Sequence, residues 1–194
     1  KVDTILRNKL NLSRRMIIGM KKSDRIFLNG KNVLVNARVK KGDEVYVNIK
    51  KDESQDIEPE DMPLNILFED KDLLVVDKQP GIVVHPTKGH PTGTLSNGVI
   101  NHFRKNGEDA IVRHVNRLDR DTSGLIIIAK NQFSHQAMAK QLEANLVDKI
   151  YYAVVHGNME AREGRIDLPI GRPSRESIKR MVMEDGQRAI THYE

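Results

Sequence analysis

Apolar and polar positions alternate along this chain with a period that changes several times, and each change marks an element. Val2, Ile5, Leu6 and Leu10 recur at helical spacing and predict a short amphipathic helix. Ser13 is placed to cap a second helix from Arg14 to about Lys22, with Met16, Ile17 and Met20 facing inward. "IFLNGKNVLV" then sets Asn29-Gly30 between apolar runs, a hairpin signal, and "KKGDEVYVNI" predicts a Gly42-Asp43 turn before a strand with alternating Val45, Val47 and Ile49. From Leu64 the pattern resumes with two strands around a turn at Lys71-Asp72 and a further turn at Pro80-Gly81. Thr94 caps a helix to about Lys105 that buries Leu95, Val99, Ile100 and Phe103. Leu125 to Ala129 is apolar throughout and predicts a buried strand. Gln132 to about Leu146 predicts a helix with Phe133, Ala137, Met138, Leu142 and Leu146 as its stripe, and Lys149 to Val155 predicts another strand. Helices among hairpin-like strands give an α+β class with a mixed, largely antiparallel sheet.

The 194 residues suit one or two domains, and 38% hydrophobic with 30% charged residues is a globular composition. Apolar runs reach only about five residues, too short to span a membrane. The absence of cysteine excludes disulfides, thiol nucleophiles and cysteine-ligated zinc, and is compatible with a cytoplasmic location. Charge is unevenly spread. Residues 1–50 carry 13 basic and 4 acidic side chains, a net +9, whereas 51–77 carry 2 and 10, a net −8. This predicts a basic N-terminal domain over 1–50, an acidic linker over 51–63 and a larger body over 64–194. The basic part suits a polyanion such as nucleic acid, although a merely well-solvated surface accounts for the charge equally well.

The order "SRRMIIGMKKSDRIFLNGKNVLVNARVKKGDEVYV" resembles the small RNA-binding domain, often called the αL motif, shared by a small-subunit ribosomal protein and tyrosyl-tRNA synthetases. The resemblance implies that Arg14, Arg15, Lys21 and Lys22 contact RNA phosphates, supplying affinity and little sequence reading. No aromatic residue interleaves with these cations, which argues against stacking on single-stranded bases there.

"NRLDRDTSG" before the Leu125 strand crowds Arg117, Asp119, Arg120 and Asp121 into a turn. The residues admit three readings: local turn bonding by Asp121, Thr122 and Ser123 with Gly124 at an unusual φ, weak surface Arg–Asp bridges, or a carboxylate fixed at the end of a core strand with Arg117 beside it. His85 and His90 flank a Pro/Gly turn, but their spacing matches no helical ligand pair and no third acidic ligand is near, so no metal is expected. No phosphate-binding glycine loop is present.

Taken together, "LLVVDKQPGIVVHPTKGHPTGTL", "NRLDRDTSGLIIIAKN", "KIYYAVVHG" and "LPIGR" resemble, in order, the blocks of the RluA-type pseudouridine synthases. The resemblance implies isomerisation of uridines in structured RNA, with ribosomal RNA of the large subunit as the favoured substrate and transfer RNA as the second. It implies Asp119 as the essential aspartate, Arg117 as the arginine two residues before it and Tyr151 as the active-site tyrosine, with no cofactor. Such an aspartate acts at the anomeric carbon, either by bonding covalently to the sugar or by stabilising its charge while a glycal forms. Arg117 would fill the place of the extruded base, unless it bridges to Asp119 or Asp121. Tyr151 would stack on the uracil, unless it is a core aromatic with Tyr152 pointing the other way. The basic stretch "GRPSRESIKRM" adds Arg172 and Arg175 as candidate RNA contacts on an exposed loop.

The sequence departs from the family at Asn116, where histidine usually precedes Arg-Leu-Asp; a histidine stands two residues earlier at His114. The family's catalytic domain continues past Glu194, so the chain is expected to be a fragment truncated at its C-terminal end, a monomer, and weakly active or inactive alone. The alternative is a non-catalytic RNA-binding or ribosome-associated protein that retains the fold.

Overall fold

The N-terminal periodicity becomes α1 (Val2–Asn8) and α2 (Arg14–Lys22), whose buried faces meet through Val2, Leu6, Met16, Ile17 and Met20. The Ser13 hydroxyl accepts from the Met16 amide at 3.3 Å, a cap worth about 1 kcal/mol. The computed structural model describes residues 1–49, 55–174, 176–177 and 179–194. Strands β1 (Ile26–Leu28) and β2 (Lys31–Asn32) form the expected hairpin, with Asn29 and Gly30 at φ of 50° and 78°, the paired positive angles that such a turn demands. Strand β3 (Val45–Val47) pairs antiparallel along the other edge of β1. The inner face of this small sheet closes over the two helices through Ile26, Val45 and Val47.

The larger body adds β4 (Asn65–Glu69), β5 (Leu73–Lys78), α3 (Leu95–Lys105), β6 (Arg113–His114), β7 (Gly124–Ala129) and α4 (Gln132–Glu143). The strands lie in the order β4-β5-β7-β6, antiparallel throughout. Leu74 and Val76 of β5 and Ile126 and Ile128 of β7 point to one face, where Leu95, Val99, Ile100 and Phe103 of α3 cover them. Each such side chain removed from water contributes about 1.5–3 kcal/mol. Residues 55–63 have no regular structure yet are fastened to this body: Asn97 Nδ2 donates to Glu58 O at 2.8 Å, and Gln55 exchanges two hydrogen bonds with the Val112 backbone. Met62 passes close over α3 at Gly98: an added Cβ would stand 2.4 Å from Met62 Cγ, so the methionine side chain would have to move.

The two modules meet at α4. Phe133 packs into the N-terminal cluster, and Gln136 reads the α1–α2 turn, accepting from Ser13 N at 2.8 Å and donating to Asn11 O at 2.7 Å. Lys140 Nζ donates to the same Asn11 oxygen at 2.8 Å.

Three expectations from periodicity fail. Leu125, expected inside, is 55% exposed, because the strand keeps a period of two and only part of the second sheet face is covered. Helix α4 stops at Glu143, with Asn145 left-handed at φ 52°, and Leu146 lies exposed beyond it; the expected stripe is at most half-buried. Residues 149–155 form no strand: a run of this kind needs a partner to satisfy its amides, and no described strand runs beside it. The described chain divides into two units, Lys1–Asp148 and Lys149–Glu194. The second contains β8 (Gly164–Asp167), β9 (Ile170–Gly171), β10 (Met181–Val182) and β11 (Ile190–Tyr193), paired antiparallel as β8–β11 and β9–β10. In it Asp167 bonds Arg165 and Arg188, which hold its carboxyl below the usual carboxylate range, Arg188 more strongly.

Candidate active site

Two loops leave the four-stranded sheet at the same end, because Lys78 closing β5 is paired in register with Gly124 opening β7. One loop runs from Gln79 toward α3 and the other from Val115 to Ser123. Gly124 takes φ 119°, which lets the second loop turn abruptly into the strand.

Lys78 is 1% exposed and forms no ion pair among the described residues. Its Nζ donates to Gln79 O and Ile82 O at 3.0 Å each and to Arg120 O at 2.9 Å, so all three N–H groups are used and the two loops are tied together. Burial pulls its pKa below the ordinary lysine value, while Asp121 and Asp119 nearby oppose that shift. The Gly81 amide donates to the same Arg120 oxygen at 2.8 Å. The residue following Asp119 is thereby held by two donors, and Thr122 N closes the turn onto Asp119 O at 3.2 Å.

The other flank is held by Asn116. Its Nδ2 donates to Leu125 O at 2.9 Å and its Oδ1 accepts from Ile127 N at 2.8 Å. One amide side chain thus replaces a rung of backbone pairing where β6 has already ended. Just before it, His114 is half-buried, with Nε2 2.8 Å from Ser96 Oγ and Nδ1 shut from water without a partner among the described residues. Burial, then the neighbouring His85, Arg117 and His135, push its pKa down to about 4, so it is neutral near pH 7. The His85 ring lies 6.4 Å from it. His85 is carried on a loop that Leu95 N and Ser96 N anchor through Val83 O and Val84 O at 2.9 and 3.1 Å.

Between the loops lies an open cleft of about 560 Å³ lined by Val83, Val84, His85, Arg117, Leu118, Asp119 and Arg120. Asp119 and Arg117 are both exposed there, and neither side chain has a hydrogen bond or ion pair among the described residues. The only Arg–Asp bridge described in the turn joins Arg120 Nε to Asp121 Oδ1 at 3.1 Å. A carboxylate and a guanidinium on one cleft wall, neither bonded among the described residues, can approach a sugar carbon and a phosphate or base together.

The other sequence-selected residues lie elsewhere. Arg14, Arg15, Lys21 and Lys22 are exposed on α2; spaced by seven, Arg14 with Lys21 and Arg15 with Lys22 stand two turns apart on one side of the helix. Tyr151, 60% exposed, and Arg172 belong to the second unit, and Arg175 lies outside the described residues. His90 exchanges two backbone hydrogen bonds with Thr87 in a tight turn away from the cleft lining. Lys78 is the contribution that sequence reading missed, and a lysine ending the alternating run "LLVVDK" on its buried phase was the available signal for it; Asn116 and His85 were noted only as a departure from the family and as a loop histidine.

Residues 72–194 match the family described as RNA pseudouridylate synthase. The chain belongs to that family. Family members with similar sequences include the uncharacterised RNA pseudouridine synthase YhcT of Bacillus subtilis, 38% identical over 190 residues that make up 98% of this chain and 63% of that protein. The ribosomal large subunit pseudouridine synthase D of Xanthomonas campestris is 38% identical over 174 residues, 89% of this chain and 52% of that one. The chain thus spans under two thirds of the length of these relatives. In three dimensions it is similar in fold to human RNA pseudouridylate synthase domain containing 1, with a TM-score of 0.54 over 72% of this chain and 53% of that one at 22% identity. The family match runs through both loops of the cleft and into the second unit.

Proposed function

We propose that the protein isomerises uridine to pseudouridine in structured RNA, with Asp119 acting on the ribose. The observation that carries this reading is the Asp119 carboxylate, exposed on the wall of the cleft and bonded to nothing else described. In the reaction the bond from C1′ to N1 breaks, uracil leaves as a delocalised anion, and a new bond forms from C1′ to C5. The C5 proton is lost and N1 gains one, so nothing is oxidised and no group leaves the RNA. Asp119 either bonds C1′ or faces the positive charge developing there. Arg117 fills the space vacated when the base is pulled from its stack, a step costing a few kcal/mol. Tyr151 stacks on the extruded uracil. Arg14, Arg15, Lys21 and Lys22 draw the RNA in through its phosphates, with Arg172 and Arg175 as further contacts. Large-subunit ribosomal RNA is the favoured substrate, supported by the name of the Xanthomonas relative.

Tritium release from C5-labelled uridine in ribosomal and transfer RNA tests this. Full-length protein should release tritium and its Asp119→Asn variant should not. Equal release by both removes the role of Asp119, and RNA binding without any release leaves the reading of a non-catalytic RNA-binding protein.

A further inference from the structure

The small N-terminal sheet has an outer face that the proposed reaction does not use. Alternation along β1 and β3 sends Ile26, Val45 and Val47 inward and leaves Phe27 and Tyr46 outward, directly paired across the strands. Their ring centroids are 5.8 Å apart with planes tilted by 47°, so neither ring covers the other, and Tyr46 is 57% exposed. The two rings, Gly30 and Glu44 line a shallow hollow of about 360 Å³. Gly30 offers no side chain to fill it, with open space where a Cβ would stand. The Glu44 backbone is pinned on both sides by Asn29, through Asn29 Oδ1 at 2.9 Å and Asn29 N at 2.9 Å, while its carboxylate has no partner among the described residues.

We propose that this face binds an unpaired nucleobase of the RNA, with guanine preferred; this rests on the reading of the protein as one that acts on RNA. An exposed tyrosine beside a half-buried phenylalanine on an antiparallel sheet offers a π-face to any base. A module carrying +9 over residues 1–50 draws in the phosphates that flank the base. The free carboxylate of Glu44 then discriminates: it accepts two hydrogen bonds from N1–H and N2–H of guanine, and one from the other bases. The partner is a single-stranded segment next to the helix held by α2, since a base within a duplex has no free face.

The test measures affinity of residues 1–194 for a hairpin RNA bearing a short single-stranded overhang of guanosines or uridines, by fluorescence anisotropy, beside the same hairpin without overhang. Tyr46→Ala should weaken binding of the guanosine-overhang RNA about 5- to 150-fold and leave the blunt hairpin unchanged. Tyr46→Phe should bind like the unaltered protein, and Glu44→Ala should bind the two overhangs equally. Thermal melting checks that each variant folds. Unchanged affinity in Tyr46→Ala, or no advantage of an overhang, overturns the proposal, as does an effect of Tyr46→Ala on self-association alone. The measurement requires no turnover, so the two readings fail separately. Tritium release with no effect of Tyr46 sinks only the platform; overhang binding through Tyr46 without release sinks only the isomerase.

Discussion

Lys78 Nζ and the carbonyl oxygen of Arg120 are 2.9 Å apart although 42 residues separate them, and this bond, with two others from the same ammonium group, holds the Asp119 turn against the loop that faces it. Replacing Lys78 with Met keeps much of the volume but takes the ammonium donor from the Gln79 and Ile82 carbonyls and leaves Arg120 O to the Gly81 amide. Lys78→Met should lower stability by about 2–4 kcal/mol and reduce tritium release further than stability alone explains. Urea denaturation and turnover of the folded fraction check both parts.

His114 makes stability depend on pH in a defined window. Its folded pKa of about 4 lies below the ordinary 6.5, so between those values the unfolded chain binds the extra proton. Stability is therefore fullest above pH 6.5 and falls as pH drops toward 4, by up to about 3 kcal/mol from this residue. A His114→Gln variant should show a flatter urea midpoint between about pH 7 and pH 4.5 than the unaltered protein. Equal slopes would assign the acid sensitivity to the carboxylates.

Charge reversal at Arg14 and Arg15 should weaken RNA binding irrespective of sequence, because phosphates are alike at every nucleotide. The slope of log affinity against log salt should become shallower by about 0.7–0.9 for each phosphate that the variant no longer neutralises. Anisotropy titrations across a salt series read the slope directly.

The Gln136 side chain satisfies Ser13 N, the amide at the start of α2. Gln136→Ala should leave that amide to solvent and loosen the α1–α2 turn from α4, at a cost of about 1 kcal/mol. Amide exchange at Ser13 should then speed up roughly fivefold, with exchange in β5 and β7 unchanged.

Much of the local structure was legible in the order of residues. The Ser13 cap, the Asn29-Gly30 hairpin, the Thr94 start of α3 and the onset of α4 at Gln132 depend on neighbours within a few positions, and the structure has each of them. The four charges before the apolar run left three readings open, and it was the resemblance to a family that singled out Asp119 as the candidate acid. The strand expected over 149–155 was not forthcoming, because apolar alternation states a capacity for pairing and says nothing of the partner. Likewise, Leu125 and Leu146 are apolar side chains whose burial rests on what covers them.

By itself, then, the sequence determined where helices start, where the chain turns, and that a basic stretch precedes an acidic one, because capping, periodicity and net charge act over short range or simply add. Only the tertiary structure decided that Lys78 would spend its charge on three carbonyls, that Asn116 would stand in for a strand, that His114 would be neutral, and that Phe27 and Tyr46 would meet on one face. Those outcomes depend on strand register and on exclusion of water, which are set by groups far apart along the chain.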